Sequence, residues 1–225
     1  MYDVDIDGNI SLSMNALLVE KDDRLVLFDP GCCDFLPAKL RQEYQLTIPV
    51  PIESQLSSLG YGVEQVTDVI FTHLHFDHGS GAFRRVPGNI EKRFNNARYH
   101  VLREHYQANR KPVTGESHSF FTSFLKYIDA ICWLEEWKDD WLEFRIYNGH
   151  TPGMVVPVIH TEEGDIYYGS DLLPMEVFLN PVMFSGYDAN PELVREEKRD
   201  FLAGVNEKSQ LILFHDPLTD SIIYP

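Results

Sequence analysis

The chain has 225 residues, 44% of them hydrophobic and 12% aromatic, enough apolar material for a substantial buried core. Its formal net charge of -16 repels phosphate backbones and argues against nucleic acid as substrate or partner. No stretch approaches the roughly 18 consecutive apolar residues of a membrane span, and the acidic start Met1-Tyr2-Asp3-Val4-Asp5 lacks the basic-then-apolar pattern of a secretory signal.

In chain order, Asn15 to Glu20 and Leu25 to Phe28 are apolar runs around Lys21-Asp22-Asp23-Arg24, the pattern of a β-hairpin. The hairpin ends in the turn Asp29-Pro30-Gly31, with a carboxylate at the strand end. Cys32 and Cys33 are adjacent and Cys132 stands alone. That is no disulfide framework, and inert thiols in a reducing, cytoplasmic setting are expected. Pro51 to Leu59 predicts a helix, with Ile52, Leu56 and Leu59 on one face and Gly60 as its cap. Asp68 to Thr72 is a buried strand. It delivers His73-Leu74-His75-Phe76-Asp77-His78, and Gly79, Gly81 and Gly88 then turn the backbone. The basic pairs Arg84-Arg85 and Lys92-Arg93 are expected on solvated surface.

Arg98 to Leu102 predicts a strand and Arg103 to Arg110 a polar helix. Ser117 to Ala130 has Phe120, Phe121, Phe124, Leu125 and Ile128 at helical spacing, which favours a core-facing stripe over an apolar lid. Ile131 to Trp133 and Leu142 to Tyr147 suggest a hairpin around an acidic turn containing Lys138-Asp139-Asp140, although Trp133, Trp137 and Trp141 also fit helical spacing. Met154 to Ile159 and Ile166 to Tyr168 suggest another around Thr161-Glu162-Glu163-Gly164-Asp165. The aromatic stretch Phe178 to Tyr187 could wall a pocket or lie in the core. Pro191 to Val205 predicts a charged helix with Leu193, Val194, Phe201, Leu202 and Val205 on its buried side, and Gln210 to Phe214 a last strand. With no linker or repeat, one domain over residues 1–225 is expected.

Four predicted strand ends finish in metal-competent residues. Asp68 to Thr72 leads to His73, Leu142 to Asn148 to His150, Ile166 to Gly169 to Asp171, and Gln210 to Phe214 to His215. Three imidazoles and a carboxylate within six residues at the end of a buried strand are costly unless something binds them. In extended backbone, residues two apart project to one side, so His73 and His75 can converge on one ion while Asp77 and His78 face another. Imidazole and carboxylate donors suit zinc, with iron, manganese or nickel as alternatives, and the absence of cysteine from the cluster disfavours a structural thiolate site. His100, His105, His118 and His160 lack such a context and are expected to be structural or on the surface.

These residues resemble the metallo-β-lactamase-fold hydrolases. The likeness runs through Thr72-His73-Leu74-His75-Phe76-Asp77-His78-Gly79, Gly149-His150-Thr151-Pro152-Gly153, Gly169-Ser170-Asp171 and His215, with Asp29-Pro30-Gly31 as the early turn. The resemblance implies an αββα sandwich, an α/β fold of two mixed β-sheets with outer helices. It implies two divalent ions, one held by His73, His75 and His150 and the other by Asp77, His78 and His215, with Asp171 bridging and Asp29 orienting a ligand. A metal-bridging hydroxide would attack a small ester, lactone or related substrate, with Asp77 as the catalytic group that orients it or passes a proton. Departures narrow this. Asp171 stands where true β-lactamases lack an aspartate. Asp171-Leu172-Leu173-Pro174 lacks the tyrosine that acyl-homoserine lactonases carry shortly after it. Flavin-linked oxygen reductases would have glutamate at His75. The broad lactonase and methyl parathion hydrolase-like group is the best general match. A glyoxalase II-type thioester hydrolase, a mononuclear iron persulfide dioxygenase and a non-catalytic metal-binding domain are the alternatives.

Overall fold

The computed structural model describes residues 2–47, 50–109 and 121–224. The chain divides into two compact units, Ala16–Glu136 and Met1–Asn15 with Trp137–Pro225.

In the first unit, β1 (Leu17–Lys21) and β2 (Arg24–Phe28) form the expected antiparallel hairpin, its tight turn admitting Asp22 at φ +54°. After α1 (Ala38–Glu43) and α2 (Ile52–Ser58), β3 (Asp68–Ile70) joins β2 in parallel. The second half of the cluster forms α3 (Phe76–Gly79), a single turn that His75 precedes. A small hairpin follows, β4 (Phe83–Val86) and β5 (Asn89–Lys92), then β6 (Arg98–Val101), α4 (Arg103–Asn109) and β7 (Ile131–Trp133). The sheet order is β1-β2-β3-β6-β7, with β2, β3, β6 and β7 mutually parallel. Such strands are usually covered on both faces, and β2 shows it: Leu25, Val26, Leu27 and Phe28 are all buried. Leu25, Leu27, Val69, Phe71 and Tyr99 anchor the core of this unit. Each large apolar side chain so enclosed contributes roughly 1.5–3 kcal/mol.

In the second unit, β8 (Leu142–Tyr147), β9 (Met154–Thr161) and β10 (Gly164–Tyr168) form an antiparallel meander. Helix α5 (Pro191–Ala203) is followed by β11 (Gln210–Ile212), parallel to β10, and by β12 (Ser221–Ile223), antiparallel to β11. Asn190 caps α5, accepting the Leu193 N–H at 3.2 Å, with Pro191 in the first turn. Val156, Val158, Tyr167, Leu211, Phe201 and Val205 form this unit's core.

Several expectations are corrected. Ile131–Trp133 and Leu142–Tyr147 are not a hairpin: β7 pairs in parallel with β6, and β8 pairs with β9 in the other sheet. The connection from Leu134 to Trp141 exceeds the roughly 2–5 residues that hairpins favour. The segment expected to be helical from Ser117 to Ala130 is a 3₁₀ turn over Thr122–Tyr127, and residues 117–120, with His118 and Phe120, lie outside the described residues. The Phe124 N–H bonds the Phe121 carbonyl at 2.8 Å, three residues back, and Phe121, Leu125 and Ile128 are buried in the first unit's core. A three-residue winding stacks 121 and 124 on one side, where their rings meet Phe83 at 6.1 and 5.6 Å. Leu59, expected on the buried face of α2, is exposed. Arg93 is no surface cation: it is buried, pairs with Glu53, and donates to the carbonyls of Gly81 at 2.8 Å and Phe83 at 3.1 Å. Lys92 reaches Asp129 at 2.7 Å and Arg84 pairs with Glu91, so the β4–β5 hairpin is tied down by its own basic residues.

Candidate metal centre

The first unit gathers Asp29, His73, His75, Asp77 and His78 at the ends of β2 and β3. Asp29 ends β2 at φ +44°, and its N–H still donates to the Ile70 carbonyl of β3 at 3.1 Å. Its buried carboxylate accepts the Thr72 N–H at 2.9 Å and the Thr72 hydroxyl at 2.6 Å, and meets His78 Nδ1 at 2.9 Å. The turn is also latched through the backbone. Gly31 N–H donates to the His78 carbonyl at 3.0 Å, and Gly81 N–H to the Gly31 carbonyl at 2.7 Å. A Cβ on Gly81 would lie 2.2 Å from the Pro30 carbonyl oxygen, so this approach requires glycine.

His73, His75 and His78 are all buried. The His73 ring centroid lies 4.5 Å from that of His75 and 4.1 Å from that of His78. His73 Nε2 and His75 Nδ1 are 2.9 Å apart. Two nitrogens bound to one tetrahedral zinc at its usual bond length would stand about 3.3 Å apart, so this pair fits one edge of such a site. Asp77 and His78 offer a second pair of donor atoms within 4.8 Å of one another. His105, read as structural, accepts the Leu74 N–H on its Nε2 at 2.8 Å and supports the loop from below. His100 pairs with buried Asp68 at 2.8 Å.

The second unit gathers His150, Asp171 and His215. Asp171 follows β10 by way of Ser170 at φ +46°, and His215 follows β11. Asp171 lies between two imidazoles: its Oδ2 is 3.0 Å from His150 Nε2 and its Oδ1 is 3.4 Å from His215 Nε2. His150 Nδ1 meets Asp188 Oδ1 at 2.9 Å, and His215 Nδ1 donates to the Ser13 carbonyl at 2.9 Å. Burial works against a charged His150, yet Asp171 and Asp188 overcome it and raise its pKa to about 9 in the metal-free protein. Asp188 was not a sequence candidate. Tyr187-Asp188-Ala189-Asn190 reads as turn and cap chemistry, and only the fold brings it to His150.

The rings share a pattern. Nδ1 of His73, His78, His150 and His215 lies against Thr72 Oγ1, Asp29, Asp188 and Ser13 O respectively. A carboxylate or carbonyl can only accept, so at His78, His150 and His215 the Nδ1 carries hydrogen and the lone pair of the neutral ring falls on Nε2. Metal-ligating histidines are held in this way. The donors are therefore imidazole nitrogens and carboxylate oxygens of the kind that divalent cations take. Cys32 and Cys33 are free thiols, and burial pushes both above their ordinary range, Cys32 far above it, so neither offers a ready thiolate.

Residues 12–206 match the metallo-beta-lactamase superfamily, and the chain belongs to that superfamily of metal-dependent hydrolases, with its fold of mixed sheets and helices. No curated protein matches the sequence. Among solved structures, a probable metal-dependent hydrolase from Staphylococcus aureus superposes with a TM-score of 0.87 at 18% identity, covering 99% of this chain and 81% of the other. AidC, a dizinc quorum-quenching lactonase in complex with a homoserine product, superposes with a TM-score of 0.79 at 20% identity over 96% of this chain and 77% of its own. The β-lactamase-superfamily hydrolase AbOPH gives 0.76 at 20% identity, over 99% and 79%. No helix among the described residues is long and apolar enough to cross a membrane.

Proposed function

We propose that this protein is a dinuclear metal-dependent hydrolase of small ester, lactone or related substrates, working in the cytoplasm. The two units act as halves of one domain, a reading supported by a family match that runs through both. His73, His75 and His150 would hold one ion and Asp77, His78 and His215 the other, with Asp171 shared between the two sets. Zinc is the first choice, and AidC is described as a dizinc enzyme. The observation that carries this reading is Asp171, with one carboxylate oxygen toward each of two histidines whose far nitrogens are already held.

Two bound cations would supply Lewis acidity to a substrate oxygen and make water a nucleophile near neutral pH. The chain's own groups do the rest. Asp29, Asp188 and the Ser13 carbonyl hold the imidazoles in one tautomer and orientation. Asp77, half-buried in the first turn of α3, passes the proton between nucleophile and leaving group. Leu172 and Leu173 follow Asp171 and are buried in the second unit's core, so the tyrosine that acyl-homoserine lactonases carry shortly after this aspartate has no counterpart there. This favours a general ester or lactone substrate over acyl-homoserine lactones in particular.

The test is metal analysis of purified protein with a hydrolysis panel of esters, lactones, thioesters and phosphotriesters. Two ions per chain and turnover on an ester or lactone are expected. At most one tightly bound ion, with no hydrolysis anywhere in the panel, overturns the reading. A single iron with oxygen uptake on a persulfide replaces it with the dioxygenase alternative.

A further inference from the structure

Helix α5 carries Glu197 and Lys198, two ionisable groups with no part in the proposed chemistry. Both turn toward the chain around His150. The Glu197 carboxylate accepts two consecutive backbone N–H groups, those of Asn148 at 2.7 Å and Gly149 at 2.9 Å, immediately before His150. From the start of the helix, Ala189 N–H donates to the His150 carbonyl at 3.0 Å and Asn190 N–H to the Gly149 carbonyl at 2.8 Å. The fit is close enough to exclude a side chain: a Cβ on Gly149 would stand 2.5 Å from the Val194 nitrogen and 2.9 Å from Glu197 Oε2.

Lys198, fully buried, donates to the Met183 carbonyl and lies with its Nζ 5.0 Å from the Phe178 ring centroid. Arg195, a turn earlier, donates to the Val182 carbonyl at 3.2 Å and covers the Phe184 ring at 4.6 Å. The segment thus held runs directly into Asp188. There Oδ2 accepts the Ser185 N–H at 2.7 Å, while Oδ1 meets His150 Nδ1. Burying a lysine ammonium is expensive, and a surface helix has no need of one.

We propose that α5 is the positioning element for His150: Glu197 fixes the backbone that carries the ring, and Lys198 fixes the segment that carries its carboxylate partner Asp188. Both are positioning residues and neither touches substrate. The inference rests on His150 being a metal ligand, as proposed above. It predicts that α5 governs the ion that His150 helps to hold and leaves the other alone.

The test is titration of cobalt(II) into metal-free protein, followed by visible absorption, for the parent chain and for Glu197→Ala, Glu197→Gln and Lys198→Met. Circular-dichroism melting shows which variants fold. In the parent, two cobalt equivalents are expected. In Glu197→Ala and Lys198→Met, one equivalent should bind at least about tenfold more weakly while the other is unchanged. Glu197→Gln keeps one acceptor oxygen and should fall between. Folded variants that bind both equivalents as the parent does overturn the inference and leave the hydrolase reading intact. Equal weakening of both equivalents also overturns it, because a general loss of structure predicts that result. A parent chain that binds no cobalt overturns the metal reading itself and the inference with it. Lys198→Met exchanges a buried charge for an apolar side chain of similar length, so it keeps the test open should Glu197→Ala fail to fold.

Discussion

Replacing Asp29 with asparagine should separate folding from metal binding. The carboxylate holds three donors, at 2.9, 2.6 and 2.9 Å, from Thr72 N–H, the Thr72 hydroxyl and His78 Nδ1. Asparagine has the same shape but only one acceptor oxygen. If that oxygen keeps Thr72 N–H, the amide NH₂ faces His78 Nδ1, which must then accept, and the ring proton moves to Nε2, the intended metal donor. If the amide flips, NH₂ opposes Thr72 N–H and two buried donors clash. Either outcome costs about 1–3 kcal/mol at the site, or about 5–150-fold in metal affinity. Folding should suffer less. Burial raises the Asp29 pKa against the opposing pull of His78 and Thr72, so the ionised carboxyl is itself a burden on the metal-free fold, and its removal offsets the lost bonds. We expect metal-free Asp29→Asn to melt within about 4 °C of the parent, about 1 kcal/mol for a chain of this size. Its zinc affinity, measured by competition with a chromophoric chelator, should fall at least about tenfold. Affinity within twofold of the parent refutes the tautomer role. A collapse of melting temperature in parallel with affinity shows Asp29 to be a structural latch instead.

Asp77→Asn should lower kcat by about 10²–10⁴-fold while the metal-free protein melts close to the parent, measured by steady-state hydrolysis and circular dichroism. Gly81→Ala drives a methyl into the Pro30 carbonyl at 2.2 Å, and it should destabilise by about 1–3 kcal/mol and lower the metal content, read by melting and by elemental analysis. Lys198 has its pKa lowered to about 8, burial outweighing the pull of Asp188. Folding therefore favours its neutral form relative to the unfolded chain. The contribution is present above the unfolded value and lost as pH falls through about 8. Stability should rise between pH 8 and 10 by at most about 3 kcal/mol, and Lys198→Met should flatten that rise in urea titrations.

The hairpins around Asp22 and Glu162 were legible because alternation and turn chemistry are both local. The strand partners of Ile131–Trp133 and Leu142–Tyr147 were not, because periodicity marks a strand without naming its neighbour. The same limit hid β12, a three-residue strand, and turned a stripe at 121–128 into an α-helix where 3₁₀ winding serves as well. Arg93 looked like surface because charge alone says nothing of Glu53, forty residues away. At the centre, the histidine cluster stood out because its density is improbable in any other role. His150, Asp171 and His215 needed a shared position at strand ends and the family likeness. Asp188 had no such signal: it acts through one ring nitrogen of His150, and a lone aspartate beside a helix start has commoner employment.

The two tight acidic turns lie at the starts of β2 and β10, and Asp29 and Asp171 follow the far ends of those same strands. A five-residue strand, about 17 Å long, lies between each turn and its carboxylate, with Gly169 and Ser170 added before Asp171. Loop insertions, affinity tags or a grafted reporter at Asp22-Asp23 or Glu162-Glu163 would thus be shielded from the chemistry by a full strand. These turns are the natural ports for engineering this chain.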